Sequence, residues 1–384
     1  MPEVSDDCQG GKMKYLSWDE TLFRNPEVFD PEYLPEELVF REQQLNRISS
    51  NIKPALNRSR PVNMLCLGPP GTGKTSSIKL IFKEIVESEI QNLVPVYVNC
   101  QLVNSNQGIF AKIFEKVYGY PLPSYGVPFP KLYASILKKL AESEKVLIVA
   151  LDDVNLLLDD KIMNEAIYAI LKAHEEVEGV KTGVIAIGTD LKLAARLDSR
   201  VGSIFHPDEI YFPPYGEIEI FEILKKRCEL GFYQGAIEDE VIEKVAELTF
   251  EAGDLRVGLY TLKMAGMEAE RRGSRKIELD DVLKSFEGSR KVFLRKCMSM
   301  LDDLERELLK EIYSTDEDLT TGELFERFLE KKKLSYTKFY NLLSKLENLR
   351  VIDLVFKSLK KGRTRVIMRR FDSEVIMGAL REFK

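Results

Sequence analysis

Met64-Leu65-Cys66-Leu67-Gly68-Pro69-Pro70-Gly71-Thr72-Gly73-Lys74-Thr75 is the stretch of this 384-residue chain that decides its fold. Four successive apolar residues read as a strand buried on both faces. Gly68 to Thr75 matches G-x-x-x-x-G-K-[ST], a phosphate loop between a strand and a helix. Glycines are needed there because backbone N–H groups must turn inward and come close to phosphate oxygens. A helix predicted from about Gly73 to Ser88 adds the positive end of its dipole. On this reading Gly68, Pro69, Pro70, Gly71, Thr72, Gly73, Lys74, Thr75 and Ser76 line a nucleotide, ATP or ADP. Lys74 reaches its β- and γ-phosphates, and the Thr75 hydroxyl binds Mg²⁺.

Outward from this loop, strand signals at 94–99, 146–151, 183–188 and 209–212 alternate with helical patterns. That alternation predicts an α/β fold with a parallel sheet covered on both faces. Val146-Leu-Ile-Val-Ala-Leu151 ends in Asp152-Asp153. Such an ending also suits a helix cap. Paired with the loop, it supplies a metal ligand in Asp152 and a water-orienting carboxylate in Asp153. After Pro214 only helical patterns continue to residue 290. Helices resume until about Arg350, and two strands follow, at 351–356 and 363–371. The expected organisation is a tail over 1–17, an α/β nucleotide-binding base over 18–215, a helical lid over 216–290 and a C-terminal domain over 291–384.

The 56 Lys+Arg and 62 Asp+Glu leave a net charge of −6, which by itself argues against a nucleic-acid partner. Split at residue 291 the balance changes: 35 basic against 46 acidic residues before it, 21 against 16 after it. Lys357, Lys360, Lys361, Arg363, Arg365, Arg369 and Arg370 crowd the last two strands, around Gly362. Upstream lie a helix at 321–333 and a second at 335–348, the latter with Phe339, Leu342, Leu343 and Leu346 at helical spacing. Helix, turn, helix and basic hairpin is the order of a winged helix-turn-helix. Its second helix would offer Tyr336, Thr337, Lys338 and Asn341 to the major groove of duplex DNA, while the hairpin meets phosphates. Winged helices also dock proteins, so a solvated basic surface is the competing reading. No apolar run approaches the ~20 residues of a membrane span, and the five cysteines lack paired spacing. A cytoplasmic, nucleoid-associated chain without a membrane partner is expected.

A helical domain directly after the phosphate-loop domain makes the chain resemble AAA+ ATPases. Finer motifs narrow the likeness: Glu36-Glu-Leu-Val-Phe-Arg41-Glu-Gln43, Val96-Tyr-Val-Asn-Cys100, Leu197-Asp-Ser-Arg-Val201, Ile210-Tyr-Phe-Pro-Pro-Tyr215 and Gly253-Asp-Leu-Arg256. Together these are similar to the archaeal origin-recognition (Orc/Cdc-type) replication initiators over residues 20–384. The resemblance implies an adenine-side role for Phe40, Arg41 and Tyr215, and a lid contact from Arg227. It implies a second sensor in Arg256, an arginine finger in Arg200 and a first sensor at Thr189. It also implies double-stranded origin DNA, a replicative helicase and other initiator paralogues as partners, with slow ATP hydrolysis serving as a switch. Two other readings compete: a hydrolysis-impaired regulatory paralogue at origins, and a clamp-loader-type remodelling ATPase.

Two departures from the family pattern bear on turnover. Asp153 stands where Glu is usual, one methylene shorter, and Thr189 stands where Asn is frequent. Positioning dominates phosphoryl transfer, so both should hold the attacking water less well. Nucleotide should therefore bind tightly and be hydrolysed slowly, and Asp153→Glu should turn over faster than the unaltered chain in single-turnover assays.

Overall fold

Alternation along β1 (Met64–Leu67) sends Met64 and Cys66 to one face of a sheet and Leu65 and Leu67 to the other, and all four are buried. Both faces are therefore covered, as the apolar run requires. The computed structural model describes residues 21–123, 126–154, 160–189, 193–315, 319–359 and 362–382. The predicted tail over 1–17 lies outside the described residues.

The base is built on α1 (Glu42–Leu56), β1, α2 (Lys74–Glu87), β2 (Leu93–Asn99), α3 (Asn106–Tyr118), α4 (Phe129–Ser143), β3 (Val146–Asp152), α5 (Asp160–Leu171), α6 (Ala173–Glu176), β4 (Lys181–Gly188), α7 (Ser199–Phe205) and β5 (Asp208–Tyr211). The strands are parallel in the order β2-β3-β4-β1-β5. Helices α1 and α2 cover the face that carries Met64, Cys66, Ile148 and Ile185. Helices α3, α4, α5 and α7 cover the face that carries Leu65, Val96, Val149 and Val184. The strand ends differ from the sequence expectation by one or two residues, where assignment is least sharp. Phe129 opens α4 with Pro130 in its first turn, where a proline is tolerated.

The lid comprises α8 (Glu217–Gly231), α9 (Asp239–Ala252), α10 (Leu255–Arg271) and α11 (Leu279–Ser299). Residues 21–30 pack here as well. Phe23, Phe29 and Phe232 form one ring cluster with centroids 4.7–6.2 Å apart. The Leu22 N–H donates to Glu270 at 2.7 Å. The lid was expected to end at residue 290, yet α11 runs unbroken through residues 290 and 291 to Ser299. Its last turns bury Leu294, Cys297 and Met298 in the C-terminal core, so one helix serves two cores.

The C-terminal part holds α12 (Asp303–Tyr313), α13 (Thr321–Lys331), α14 (Tyr336–Asn348), β6 (Ile352–Leu359), β7 (Gly362–Arg369) and α15 (Ser373–Arg381). Reciprocal caps start α12 (Asp302 with Glu305) and α13 (Thr320 with Glu323). Phe339, Leu342, Leu343 and Leu346 are buried as their spacing predicts. Strands β6 and β7 are antiparallel, with Leu359 opposite Gly362. Lys360 and Lys361, between them, lie outside the described residues. No helix among the described residues is long and apolar enough to cross a membrane.

Helix α1 is tied to β5 through Asp208, whose carboxylate accepts from Arg47 Nε and from Asn51 Nδ2, each at 2.7 Å. The Arg47 guanidinium holds this carboxyl below the usual carboxylate range. A carboxyl depressed in the folded state stabilises at neutral pH, and that contribution is lost as the pH falls through its folded value. Asp208→Asn should cost up to about 1 kcal/mol at pH 7, and the difference should shrink below about pH 4, as urea denaturation across pH would show.

Candidate functional site

Directly after β1 the chain passes against the end of β5. A Cβ on Gly68 would lie 2.2 Å from the Phe212 carbonyl oxygen, so this close approach requires glycine. Gly73 caps α2 at φ 88°, a left-handed conformation, beneath the Tyr215 hydroxyl. The loop opens the N-terminus of α2, with Ser76 half-buried in its first turn. Lys74, 7% exposed, donates from Nζ to the Gly68 and Pro69 carbonyls at 2.7 Å each. Burial pulls its ammonium down to about 8, opposed by Asp152 and Asp153.

β3 delivers Asp152, 2% exposed, to the same place. The Thr75 hydroxyl donates to Asp152 Oδ2 at 2.6 Å, and the Tyr97 hydroxyl donates to that same oxygen at 2.7 Å. The Asp153 N–H donates to Asp152 Oδ1 at 2.9 Å. Asp153 itself has φ 55°, and burial followed by repulsion from Asp152 raises its carboxyl. Thr189 follows Gly188, which pairs with Leu67, so it stands half-buried beside the start of the loop. Tyr97 lay within a motif noted in the sequence but carried no role there. The signal is its register: Tyr97 pairs with Ala150, two residues before Asp152, a diagonal that a long side chain spans.

Arg41, 2% exposed, binds three segments together. Nε donates to the Thr72 carbonyl at 2.8 Å, Nη1 to Phe40 O and Nη2 to Pro213 O, both at 2.6 Å. Its guanidinium lies 3.7 Å from the centroid of the Tyr215 ring. Tyr215 belongs to the lid core, and Phe40 packs on that core from outside. Phe40, Arg41 and Tyr215 are thus brought together at the junction of base and lid.

The lid meets the loop through Asp254, the N-cap of α10. A Cβ on Gly71 would lie 2.3 Å from Asp254 Oδ1. Arg256 donates from Nε to Asp254 Oδ1 at 2.9 Å, which raises its pKa further, and its charge is felt at Lys74 and Asp153. Arg227, buried in α8, donates to the Val28 carbonyl at 3.1 Å and lies over the Tyr33 ring, engaged with the N-terminal segment. Arg200 sits exposed at the start of α7, paired with Asp198 at 2.7 Å and 5.7 Å from the Tyr168 ring. None of these partners belongs to the phosphate loop.

At the other end of the chain Tyr336, Thr337, Lys338 and Asn341 are all exposed on α14, whose N-cap Ser335 accepts from the Lys338 N–H. Arg365 of β7 lies 5.5 Å from the Tyr340 ring, whose centroid is 5.6 Å from that of Tyr336 with the planes tilted at 46°. Helix and hairpin therefore share one aromatic and basic surface. Lys357 pairs with Thr364 and Ser358 with Arg363 in the hairpin ladder. Two arginines of the sequence cluster are placed elsewhere. Arg369 donates to the Thr315 carbonyl, and Arg370 binds Asp353 at 2.6 Å and the lid's Ala252 carbonyl at 3.1 Å.

Arg41→Ala would strip one buried carbonyl and two partly buried ones of their donor, and an orphaned buried group costs about 1–3 kcal/mol. A fall in stability of roughly 3 kcal/mol or more in urea unfolding is expected, with little recovery in Arg41→Lys, which lacks the forked donors.

A family model described as an AAA ATPase domain matches residues 37–177, and one described as a Cdc6 AAA+ ATPase-type lid domain matches residues 221–287. The chain is 43% identical to ORC1-type DNA replication protein 2 of Methanosarcina acetivorans over 96% of its length and 98% of the relative's. It is 44% identical to the protein of the same description from Archaeoglobus fulgidus, covering 95% of each chain. Among solved structures, the Aeropyrum pernix ORC1 protein in complex with DNA superposes with a TM-score of 0.68 at 26% identity, covering 95% of this chain and 98% of that one. Parallel sheet, phosphate loop, helical lid and near full-length identity agree: the chain belongs to the archaeal ORC1/Cdc6-type family of AAA+ DNA replication initiators.

Proposed function

We propose that this protein binds ATP or ADP at Gly68–Ser76 and uses the nucleotide to switch its grip on origin duplex DNA and its contact with the replicative helicase. The observation that carries the reading is the 2.6 Å contact between Thr75 and Asp152 beside a buried Lys74. Two hard oxygen donors at one point suit Mg²⁺, which prefers few protein ligands and completes its shell with phosphates and water. Thr75 and Asp152 would hold that ion, and when bound it would neutralise charge on the β- and γ-phosphates. Lys74 would leave the loop carbonyls for the phosphates. Asp153, with its carboxyl raised, would orient the attacking water, and Arg256 would read the γ-phosphate from the lid. Phe40, Arg41 and Tyr215 would enclose the base, with Arg227 supporting that wall from the lid. Arg200, exposed and away from the loop, would serve a neighbouring subunit.

At the C-terminal end, Tyr336, Thr337, Lys338 and Asn341 would face the major groove, and Lys357, Lys360, Lys361, Arg363 and Arg365 would meet phosphates. The convergence of Arg365 with Tyr340 and Tyr336 supports a DNA face over a protein-docking one. The full-length relatives favour an initiator over a clamp-loader-type ATPase. Asp153 and Thr189 keep a slowly hydrolysing or regulatory paralogue within the reading.

Lys74→Ala should weaken binding of a fluorescent ATP analogue by tenfold or more. Lys338→Ala with Arg365→Ala should weaken duplex binding, and its salt slope should fall by roughly 0.9 for each phosphate contact removed. Unchanged nucleotide affinity in the first variant, or an unchanged salt slope in the second, would overturn the corresponding half.

A further inference from the structure

Helix α9 ends at Ala252, Gly253 turns the chain at φ 69°, and Asp254 opens α10 against the phosphate loop. The C-terminal domain reaches this turn with two arginines. Arg370 donates from Nη1 to the Ala252 carbonyl at 3.1 Å and from Nε to Asp353 at 2.6 Å. A Cβ on Gly253 would lie 2.6 Å from Arg350 Nη1 and 3.1 Å from Arg370 Nη1. Arg350 follows α14 at φ 57°, and Arg370 follows β7. The two therefore stand at the exits of the helix and the hairpin read above as the DNA face.

Two guanidiniums side by side, half-buried, repel one another and lose hydration, and Arg350 is pulled down by burial and by Arg370. Such a pair persists where something compensates. Here the carbonyl end of α9 does so, a place that favours cations, together with Asp353 and Asp254. Arg370 donates to the backbone of a lid turn, and Arg350 lies against the glycine of the same turn.

We propose that Arg350 and Arg370 are positioning residues for Arg256, because they hold the Ala252–Gly253 turn that sets Asp254 against Gly71. The inference rests on the reading of Arg256 as the group that senses the γ-phosphate. Asp254 is fixed on one side by Gly71 and carries Arg256 on its carboxylate, so a displaced turn moves the sensor. A continuous run of contacts thereby joins α14 and β7 to the phosphate loop through Arg350, Arg370, Gly253 and Asp254. Seating the C-terminal domain on DNA would bias the ATP-bound lid, and ATP would in turn bias how that domain is seated, as linkage requires.

The test uses the full-length chain with fluorescent ATP and ADP analogues. Arg350→Ala and Arg370→Ala are each expected to weaken ATP binding about tenfold while changing ADP binding less than about twofold. Introduced on top of Arg256→Ala, neither should cause a further loss. Gly253→Ala pushes on the same turn from the lid side and should reproduce the selective loss of ATP, which covers the case of an arginine variant that does not fold. Arg370→Lys, with its charge kept and its fork lost, should fall between. Equal losses for ATP and ADP, or an undiminished loss in the Arg256→Ala background, would overturn the proposal. Failure of the unaltered chain to bind either nucleotide would instead remove the nucleotide reading on which it stands.

Discussion

The phosphate loop is braced from within by Lys74 and Thr72, which donate to the Gly68 and Pro69 carbonyls, and tied to the rest of the base from outside by Arg41. Its guanidinium joins the carbonyl of Thr72 in the loop to Phe40 before the first helix and to Pro213 after the last strand. A desolvated cation is costly unless its donors are satisfied. Burial pulls Arg41 down, and three carbonyls with the Tyr215 ring offset that cost. The constraint reaches in two directions. It fixes a loop of glycines in a conformation that accepts phosphate, and it joins the last strand of the base to the first residues of the lid.

Charge balance around the loop explains why its parts are spaced as they are. Lys74 and Arg256 face Asp152, Asp153 and Asp254, so the cluster carries one more carboxylate than cation. A polyanionic ligand entering such a place would need an added cation to balance it, which is why the proposed Mg²⁺ is put at the Thr75–Asp152 oxygen pair. Tyr97 shares the Asp152 oxygen with Thr75. Asp152 is thus oriented from one helix and one strand before any ligand arrives, the kind of preorganisation that phosphoryl transfer exploits.

The base and its loop were legible in sequence because their signals are local. A doubly buried strand needs an unbroken apolar run, and the loop needs its glycines within eight residues. The second helix of the C-terminal motif was legible for the same reason, from Phe339, Leu342, Leu343 and Leu346. Contacts that join distant segments were not. Arg41 was assigned to the adenine side through resemblance alone, and the three carbonyls it binds carry no side-chain signature. The role of Asp254 was hidden because a residue ahead of a helix reads as a cap, which it also is. Helix α11 outran the predicted end of the lid because its apolar stripe changes partners at Gly288-Ser289, from lid core to C-terminal core.

Arg369 and Arg370 show where counting charges loses meaning. In sequence they extend the basic hairpin, and composition cannot separate them from Arg363 or Arg365. Arg365 lies against Tyr340 on the surface of α14, whereas Arg369 and Arg370 turn back to the Thr315 and Ala252 carbonyls. The difference is position along the strand. Arg369 and Arg370, at the base of the hairpin, meet the ends of neighbouring helices, where carbonyls attract donors. The net charge of −6 therefore averages over an acidic base and lid and a basic C-terminal part, within which Arg369 and Arg370 turn back to neighbouring carbonyls and Arg370 reaches the lid. Charge summed over a chain thus says little about where a cation acts; that is set by which carbonyls and carboxylates lie within its reach.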